Sequence, residues 1–299
     1  CALASNTTAN SNTAVGFETL HDNTTGANNT GFGALALHAN TTGTRNTGIG
    51  TCALNANTTG DDIVAVGYSA GDSNTTGANQ VAVGRDALFT NTTGNSNTAL
   101  GFQSLRANTT ASNNTAVGTN ALLANTTGSN HTAVGVLALN KNTTSADNTA
   151  VGRCAAYTNT TGSCLVAMGN NALRFNTTAS ANTAIGRDAM CANTTGAQNT
   201  VLGLEAMRYG TTGSYNTALG ACTLGASDVN TGNDNVAIGR KSMFDNTSGA
   251  SNTAVGNSSL ENNTTAVQNV AVGSHALLSV TTGNSNVAVG EDAGDAITT

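Results

Sequence analysis

The sequence contains no proline and no tryptophan, and only ten of its 299 residues are aromatic, four Tyr and six Phe. An ordinary globular core draws on more large apolar side chains, so this shortage argues against a compact globular domain. Charged residues make up 9% of the chain, and the formal net charge of −6 is spread without an acidic or basic block. Since phosphate binding needs clustered Lys and Arg, we expect no nucleic-acid partner.

Membrane spans and paired cysteines are also missing. No run of 18 apolar residues occurs, so no membrane span is expected. The chain begins with Cys1 rather than Met, which leads us to expect a processed chain or a segment of a longer one. None of the six cysteines forms a CxxC pair, so a zinc or thioredoxin-type site is not predicted. We expect buried or tolerated thiols, with a local Cys154–Cys164 disulfide as the alternative; the six are Cys1, Cys52, Cys154, Cys164, Cys191 and Cys222.

The sequence consists instead of one short motif that is repeated in tandem from end to end. Residues 114–130 read NTAVGTNALLANTTGSN, and the next seventeen read HTAVGVLALNKNTTSAD. If the Asn of NTAVG is repeat position 1, the Gly at position 5 recurs every 17 residues in 17 copies, apart from one step of 19 after Gly220. Two extra residues sit near Ser227 and Asp228. We therefore predict one continuous repeat array over residues 1–299.

The residue types at each repeat position indicate the fold. Positions 1 to 4 are rich in Thr and Val, which favour strands, and a Gly twice per repeat opposes a helix. Seventeen residues are too few for a two-helix repeat. We predict an all-β, single-coil-per-repeat β-solenoid (β-roll or β-helix), about 17 coils of 17 residues and uncapped at both ends. Strands are expected at TAV, ALxA and NTT, with Gly at the corners, in a rod roughly 80 Å long.

Two apolar positions are predicted to fill the interior. Position 4 is apolar in every copy, and position 9 is Leu in 11 copies and Met in 3. Small residues at positions 3 and 8 would let the backbones approach closely. Successive strand residues face opposite ways, so position 3 would then form an outer Ala stripe; if position 3 faces inward, position 4 lines the exterior. Either case leaves an apolar strip that favours lateral self-association, as a trimer, besides end-to-end contact through the uncapped coils.

The Asn-Thr-Thr at positions 12 to 14 matches the acceptor pattern for N-glycosylation. The adjacent threonines are candidate O-glycan carriers. The alternative interpretation is a turn whose stacked amides form an internal ladder. The fourteen candidate glycosylation sites are Asn6, Asn23, Asn40, Asn57, Asn74, Asn91, Asn108, Asn125, Asn142, Asn159, Asn176, Asn193, Asn246 and Asn263.

Short motifs typical of enzymes coincide with the repeat. GYSAG at Gly67–Gly71 matches a nucleophile elbow, but its first Gly is the repeat Gly and no strand–turn–helix pattern surrounds it. His21 and His38 share position 10 in adjacent coils, so we expect their side chains about 5 Å apart, with Asp22 nearby. We interpret them as solvated histidines rather than a metal site. No enzyme activity, catalytic residue, metal or cofactor is predicted.

The string NTAVG-xx-AL-xx-NTTG resembles repeats of predicted phage tail-fibre and bacterial surface-fibre proteins. The NTAVG and NVAVG segments also resemble the coil motif of trimeric autotransporter adhesin heads, which are left-handed β-rolls with a shorter coil. This resemblance, with the constant register, implies a non-enzymatic structural protein outside the cell or on a cell or virion surface. The expected role is a rod, filament or fibre shaft with a glycan coat. The alternative is an adhesin or a ligand-binding solenoid, for glycan or ice.

Overall fold

Short β-strands are the regular secondary structure of this protein. The computed structural model describes residues 1–225 and 227–299, and within those ranges it contains no helix. One strand of three or four residues occurs in each repeat. The strands are β1 Thr13–Val15, β2 Thr30–Phe32, β3 Thr47–Ile49, β4 Ile63–Val66, β5 Gln80–Val83, β6 Thr98–Leu100, β7 Thr115–Val117, β8 Thr132–Val134, β9 Thr149–Val151, β10 Val166–Met168, β11 Thr183–Ile185, β12 Thr200–Leu202, β13 Thr217–Leu219, β14 Val236–Ile238, β15 Thr253–Val255, β16 Val270–Val272 and β17 Val287–Val289.

The contacts divide the chain into two units, Cys1–Asn148 and Thr149–Thr299. The first unit contains β1 to β8, and each strand pairs in parallel with the strand one repeat further on, as Thr13 does with Thr30. The second unit contains β9 to β17 with the same pairing. Since every pairing joins equivalent positions of successive repeats, each unit is a β-solenoid, and the predicted fold class is confirmed.

The additional strands expected at ALxA and NTT do not form in the described part of the chain. Residues at positions 7 and 9 adopt left-handed backbone conformations, as Leu35 (φ 59°) and Leu37 (φ 54°) do, and these interrupt an extended strand. A left-handed non-glycine residue costs about 1–2 kcal/mol. Burying Leu37 contributes about 1.5–3 kcal/mol, and its N–H donates to the Ala53 carbonyl of the next coil at 2.9 Å. These contributions offset the backbone cost in each coil.

The glycine at position 5 is required by backbone conformation and by coil stacking together. Gly33 has a φ of 135°, a region that side-chain-bearing residues rarely enter. A Cβ there would lie 2.6 Å from the carbonyl oxygen of Gly50 in the next coil. The positive φ recurs at position 5 of every coil and the close approach at most of them, which accounts for the invariance of this position.

Six positions of each repeat, 1, 3, 8, 9, 12 and 15, face the interior. Position 9 provides the largest buried side chains, as predicted. Position 8 provides small buried side chains, which allow the backbones to approach closely, as was also predicted. The apolar interior is therefore narrow, and polar asparagines at positions 1 and 12 fill the rest of it. In the coil that begins at residue 29 the inward residues are Asn29, Gly31, Ala36, Leu37, Asn40 and Gly43.

The prediction that position 4 points inward is wrong. Phe32 is 57% exposed, and Val117 is half-buried, whereas Ala116 at position 3 is fully buried. The reason is the narrow interior: a Cβ on Gly48 at position 3 would already lie 3.2 Å from the Cγ of Leu37. Only Gly, Ala or a single Val fits there, so the larger side chain of the strand is placed outside. The outer Ala stripe is therefore absent, and the exterior carries the large apolar residues.

The long repeat is exposed beside its two extra residues, where the Ser227 N–H still donates to the Phe244 carbonyl of the next coil at 3.4 Å. Ser227, Asp228 and Val229 are exposed, and Ala226 lies outside the described residues. The normal register resumes at Asn230, which is buried and whose carbonyl accepts the N–H of Thr211 at 2.9 Å. Strands β13 and β14 consequently pair in register although 19 residues separate them.

The described residues form no helix, so they contain none that is long and apolar enough to cross a membrane.

Candidate functional surfaces

The asparagines of the Asn-Thr-Thr segments form a ladder inside the coils. The Nδ2 of Asn40 donates to the Oδ1 of Asn23 in the preceding coil at 2.8 Å and to the carbonyl of Gly43 at 3.0 Å. Asn57 repeats the arrangement one coil later, donating to Asn40 at 2.8 Å. This geometry matches the internal amide ladder, the alternative interpretation of these segments. The fully buried members are Asn23, Asn40, Asn57, Asn74, Asn91, Asn108, Asn125, Asn142, Asn159, Asn176, Asn193, Asn246 and Asn263.

Burial makes these thirteen asparagines poor acceptors for N-glycosylation in the folded protein. An N-linked glycan replaces one hydrogen of Nδ2, and in Asn40 both hydrogens are donated, one to Asn23 of the preceding coil and one to the Gly43 carbonyl. A sugar attached there would also require space that the buried ladder does not have. Of the fourteen candidates, Asn6 alone is exposed, and its Nδ2 donates to the Ala9 carbonyl at 3.2 Å. Burial in the folded coil therefore argues against N-glycosylation at the thirteen ladder asparagines.

A second ladder, formed by position 1, was not anticipated from the sequence. The Asn46 backbone N–H donates to the Oδ1 of Asn29 at 2.9 Å, and the Asn46 Nδ2 donates to the Gly60 carbonyl at 2.7 Å. The same Gly60 carbonyl accepts the Nδ2 of Asn57 at 3.1 Å. The two ladders thus converge on the carbonyl of position 15, which keeps these buried polar groups paired. The thirteen asparagines at position 1 were the available sequence signal.

The position-12 ladder stops wherever the next coil lacks an asparagine. The Oδ1 atoms of Asn193 and Asn263 are buried without a hydrogen-bond partner. The equivalent residues of the following coils are Gly210 and Val280, which provide no side-chain donor. An unpaired buried acceptor costs about 1–3 kcal/mol, so these two places are weak points of the interior.

His131 replaces asparagine at position 1 and copies its hydrogen bonds. Its Nε2 lies 2.9 Å from the Ser145 carbonyl, and its Nδ1 lies 3.3 Å from the Asn148 backbone N–H. Although the Asn142 Nδ2 is also 3.0 Å from Nε2, only a neutral ring protonated at Nε2 satisfies the carbonyl and the backbone N–H together. Burial lowers the pKa of His131 to about 4. The sequence alone did not reveal that this histidine is buried and neutral.

The threonines of Asn-Thr-Thr have two different environments. At position 13 the hydroxyl bonds to the next coil, as the Thr41 Oγ1 donates to the Thr58 carbonyl at 3.0 Å. Position 14 is exposed in every coil and gives a column of hydroxyl groups, which we call the hydroxyl column. It comprises Thr8, Thr25, Thr42, Thr59, Thr76, Thr93, Thr110, Thr127 and Thr144 in the first unit, and Thr161, Thr178, Thr195, Thr212, Thr231, Ser248, Thr265, Thr282 and Thr299 in the second.

Large apolar side chains at position 4 form a second surface in each unit, the apolar column. Its well-exposed members include Val15, Phe32 and Leu100 in the first unit and Met168 and Leu202 in the second. Position 6 adds exposed apolar side chains beside it in some coils, among them Phe17, Tyr68, Phe102, Val136 and Leu204. Contiguous exposed apolar area of this kind is unusual on a monomeric soluble protein and is typical of an interaction surface.

Charged side chains pair mainly between neighbouring coils. Arg45 donates to both carboxylate oxygens of Asp62, at 2.5 and 2.8 Å, and this bond lowers the pKa of Asp62. Arg187 and Glu205 lie 2.8 Å apart, and Lys241 pairs with Glu261. Exposed pairs contribute little to stability, so they show coil alignment rather than a charged site.

The cysteines are free thiols, so the alternative Cys154–Cys164 disulfide does not form. Cys154 is buried, whereas Cys164 is exposed. Burial raises the pKa of the Cys52 and Cys191 thiols, which keeps them protonated at neutral pH.

The GYSAG segment lies in the ordinary turn of its repeat. Ser69 is buried at position 7 with a left-handed φ of 52°, and Gly71 replaces the usual leucine of position 9. The described residues contain no ligand-sized cavity. His21 and His38 stack with ring centroids 5.3 Å apart, as their shared position predicted.

The fold and these surfaces define a β-solenoid protein with polar interior ladders and an exposed apolar column. No protein-family model matches the sequence, and comparison with curated proteins finds no similar chain.

Proposed function

We propose that this protein is a non-enzymatic structural element of an extracellular fibre, or of a fibre on a cell or virion surface. The observation that carries the proposal is the regularity of the interior. In both units the strand pairing recurs from coil to coil, and most coils repeat the same inward residue types and the same amide ladders. Repetition of this kind supports a shaft or spacer, since a catalytic site requires some coils to differ from the others.

Electron cryo-microscopy of the native material tests this role. The expected image is a thin fibre with regular coil spacing along its axis. Isolated particles of one chain, with no fibre or attachment to a larger surface structure, would contradict the proposal.

Self-association through the apolar column is part of the proposed function. Phe32 and Leu202 remain strongly exposed, although burying each would contribute about 1.5–3 kcal/mol. The column recurs with the coil period, so a second copy of this chain offers a surface of identical spacing. Lateral packing into a trimer would cover the columns of all three copies, and end-to-end contact is the second mode of assembly that we propose.

Light scattering distinguishes the assembled state from a single chain. The wild-type protein is expected at three times its 29.5 kDa chain mass. A double variant, Phe32→Lys and Leu202→Lys, should shift the mass toward one chain, because a desolvated charge opposes packing. The matched control is Thr42→Lys and Thr195→Lys in the hydroxyl column. Equal masses for wild type and the apolar-column variant would refute lateral association there.

We propose that a glycan coat is carried by the hydroxyl column. These groups are exposed, unlike the thirteen ladder asparagines. Peptide mapping of native material should therefore find sugar on position-14 residues such as Thr59 and not on Asn57. A native mass equal to that of the unmodified chain would refute the proposed glycan coat.

Ligand binding is the second candidate function, and the hydroxyl column is the observation that favours it. A regular row of exposed hydroxyls could bind a glycan surface or ice as an adhesin does. For ice, the position-13 hydroxyls are already bonded to the neighbouring coil, which leaves a single row. Measurement of thermal hysteresis tests binding to ice, and a glycan array tests binding to a glycan surface.

A further inference from the structure

A cluster of metal-binding side chains lies on one side of the first unit. Potential ligand atoms of His21, Asp22 and His38 lie within 4.8 Å of one another, and this is the one such group of three in the described residues. The two imidazoles come from adjacent coils and stack almost in parallel, with an angle of 13° between their planes. All three side chains are partly exposed, so an ion could reach them from solvent.

A carboxylate accompanies each imidazole. The Asp22 Oδ1 lies 2.6 Å from the His21 Nδ1, and the Glu18 Oε2 lies 3.6 Å from the His38 Nε2. Imidazole nitrogens and carboxylate oxygens are both ligands of divalent transition metals, so four potential ligand groups lie together here. Glu18 lies three residues before His21 in the same coil, and the stacking of coils brings it beside His38 of the next coil.

We infer that His21, His38 and Asp22 bind one divalent transition-metal ion, with Glu18 available as the fourth ligand. Imidazole with carboxylate suits zinc, copper or nickel rather than calcium, which prefers oxygen ligands alone. In a tetrahedral site with metal–nitrogen distances of 2.0–2.1 Å, two ligating nitrogens lie about 3.3 Å apart. The histidines therefore need only side-chain rotation to converge, and their partial exposure leaves room for it. The bound ion would join two neighbouring coils.

Zinc titration by calorimetry tests the site. The protein is first alkylated at its free thiols, because Cys1 and Cys164 are exposed and would bind zinc independently. One ion per chain is expected. His21→Asn and His38→Asn should each weaken binding on the order of tenfold or more, since each removes a direct ligand. Asparagine is compatible with this position, because Asn55 and Asn140 occupy it in other coils.

A matched control comes from the second unit. His275 lies 3.2 Å from Asp292 of the next coil but has no second imidazole beside it, so His275→Asn should leave zinc affinity unchanged. Glu18→Gln should weaken binding less than loss of either ligand histidine. Absence of zinc binding overturns the inference, and so does binding that persists unchanged in both His21→Asn and His38→Asn. Circular dichroism of each variant establishes that a loss of binding is not a loss of fold.

Discussion

Replacing His131 by asparagine should remove a specific acid sensitivity from the first unit. The wild-type ring is neutral in the fold, because Nδ1 accepts the backbone N–H of Asn148 and Nε2 faces the carbonyl of Ser145. A second proton on Nδ1 would face that N–H inside the coil. Asparagine at this position is the residue of thirteen other coils, so His131→Asn preserves the hydrogen bonds and removes the titrating group.

The size and sign of the effect follow from the pKa. The folded pKa is about 4 against an ordinary value of 6.5. Between these values the unfolded chain binds a proton that the folded chain does not, so stability rises with pH across that window. The contribution is fully present above pH 6.5 and is lost as pH falls toward 4. At 1.36 kcal/mol per pKa unit, the loss amounts to roughly 3 kcal/mol.

Urea unfolding of wild type and His131→Asn over a series from about pH 8 to about pH 4 measures this difference. The carboxylates titrate in both proteins, so subtracting the two curves isolates His131. The difference in unfolding free energy should grow below pH 6.5 in favour of the variant. His275→Asn is the matched control, because it removes a partly exposed histidine instead of a buried one. Parallel curves for wild type and His131→Asn would refute the burial argument.

Further substitutions test the interior directly. Ala116→Asp should destabilise the protein by several kcal/mol, because it buries an unpaired charge, while Val117→Asp should cost much less, and thermal melting compares them. Asn57→Ala breaks three ladder contacts and should lower the unfolding free energy by about 2 kcal/mol or more, whereas the exposed Thr59→Ala should change it by less than about 0.5 kcal/mol. Equal urea midpoints for that pair would contradict the ladder. Val280→Asn supplies a side-chain donor for the Oδ1 of Asn263 but removes buried apolar area. It should therefore lower the free energy of unfolding by much less than burying an amide without a partner would, and the melting temperature measures this.

The repeat made the fold predictable, and the narrow interior made its details difficult. A constant 17-residue step with Gly at position 5 is enough to predict stacked coils. The orientation of the strand was ambiguous, because Ala116 and Val117 are both apolar and alternation alone does not say which points inward. The close contact between position 3 and the position-9 leucine determines that position 3 points inward. That contact joins two different positions of the repeat, and the repeat pattern alone does not show that they touch.

The candidate sites were predictable in location but not in environment. The sequence places Asn57 and Thr59 in the same short segment, yet one is buried and the other exposed. The acceptor pattern for glycosylation describes three residues and contains nothing about burial. The pairing of His21 with His38 followed from their shared repeat position, whereas the approach of Glu18 required the path of the turn between them.

The exposed residues 227–229 show that one corner of the coil accepts extra chain without disturbing its neighbours. Strands β13 and β14 remain in register, and the carbonyl of Asn230 bonds to Thr211 as in a repeat of normal length. The equivalent corner of other coils, just before position 12, is consequently a permissive site for insertion. A short epitope or fluorophore-binding peptide placed there would project outward at a chosen coil, which turns the solenoid into a scaffold that displays a label at a known height along its axis.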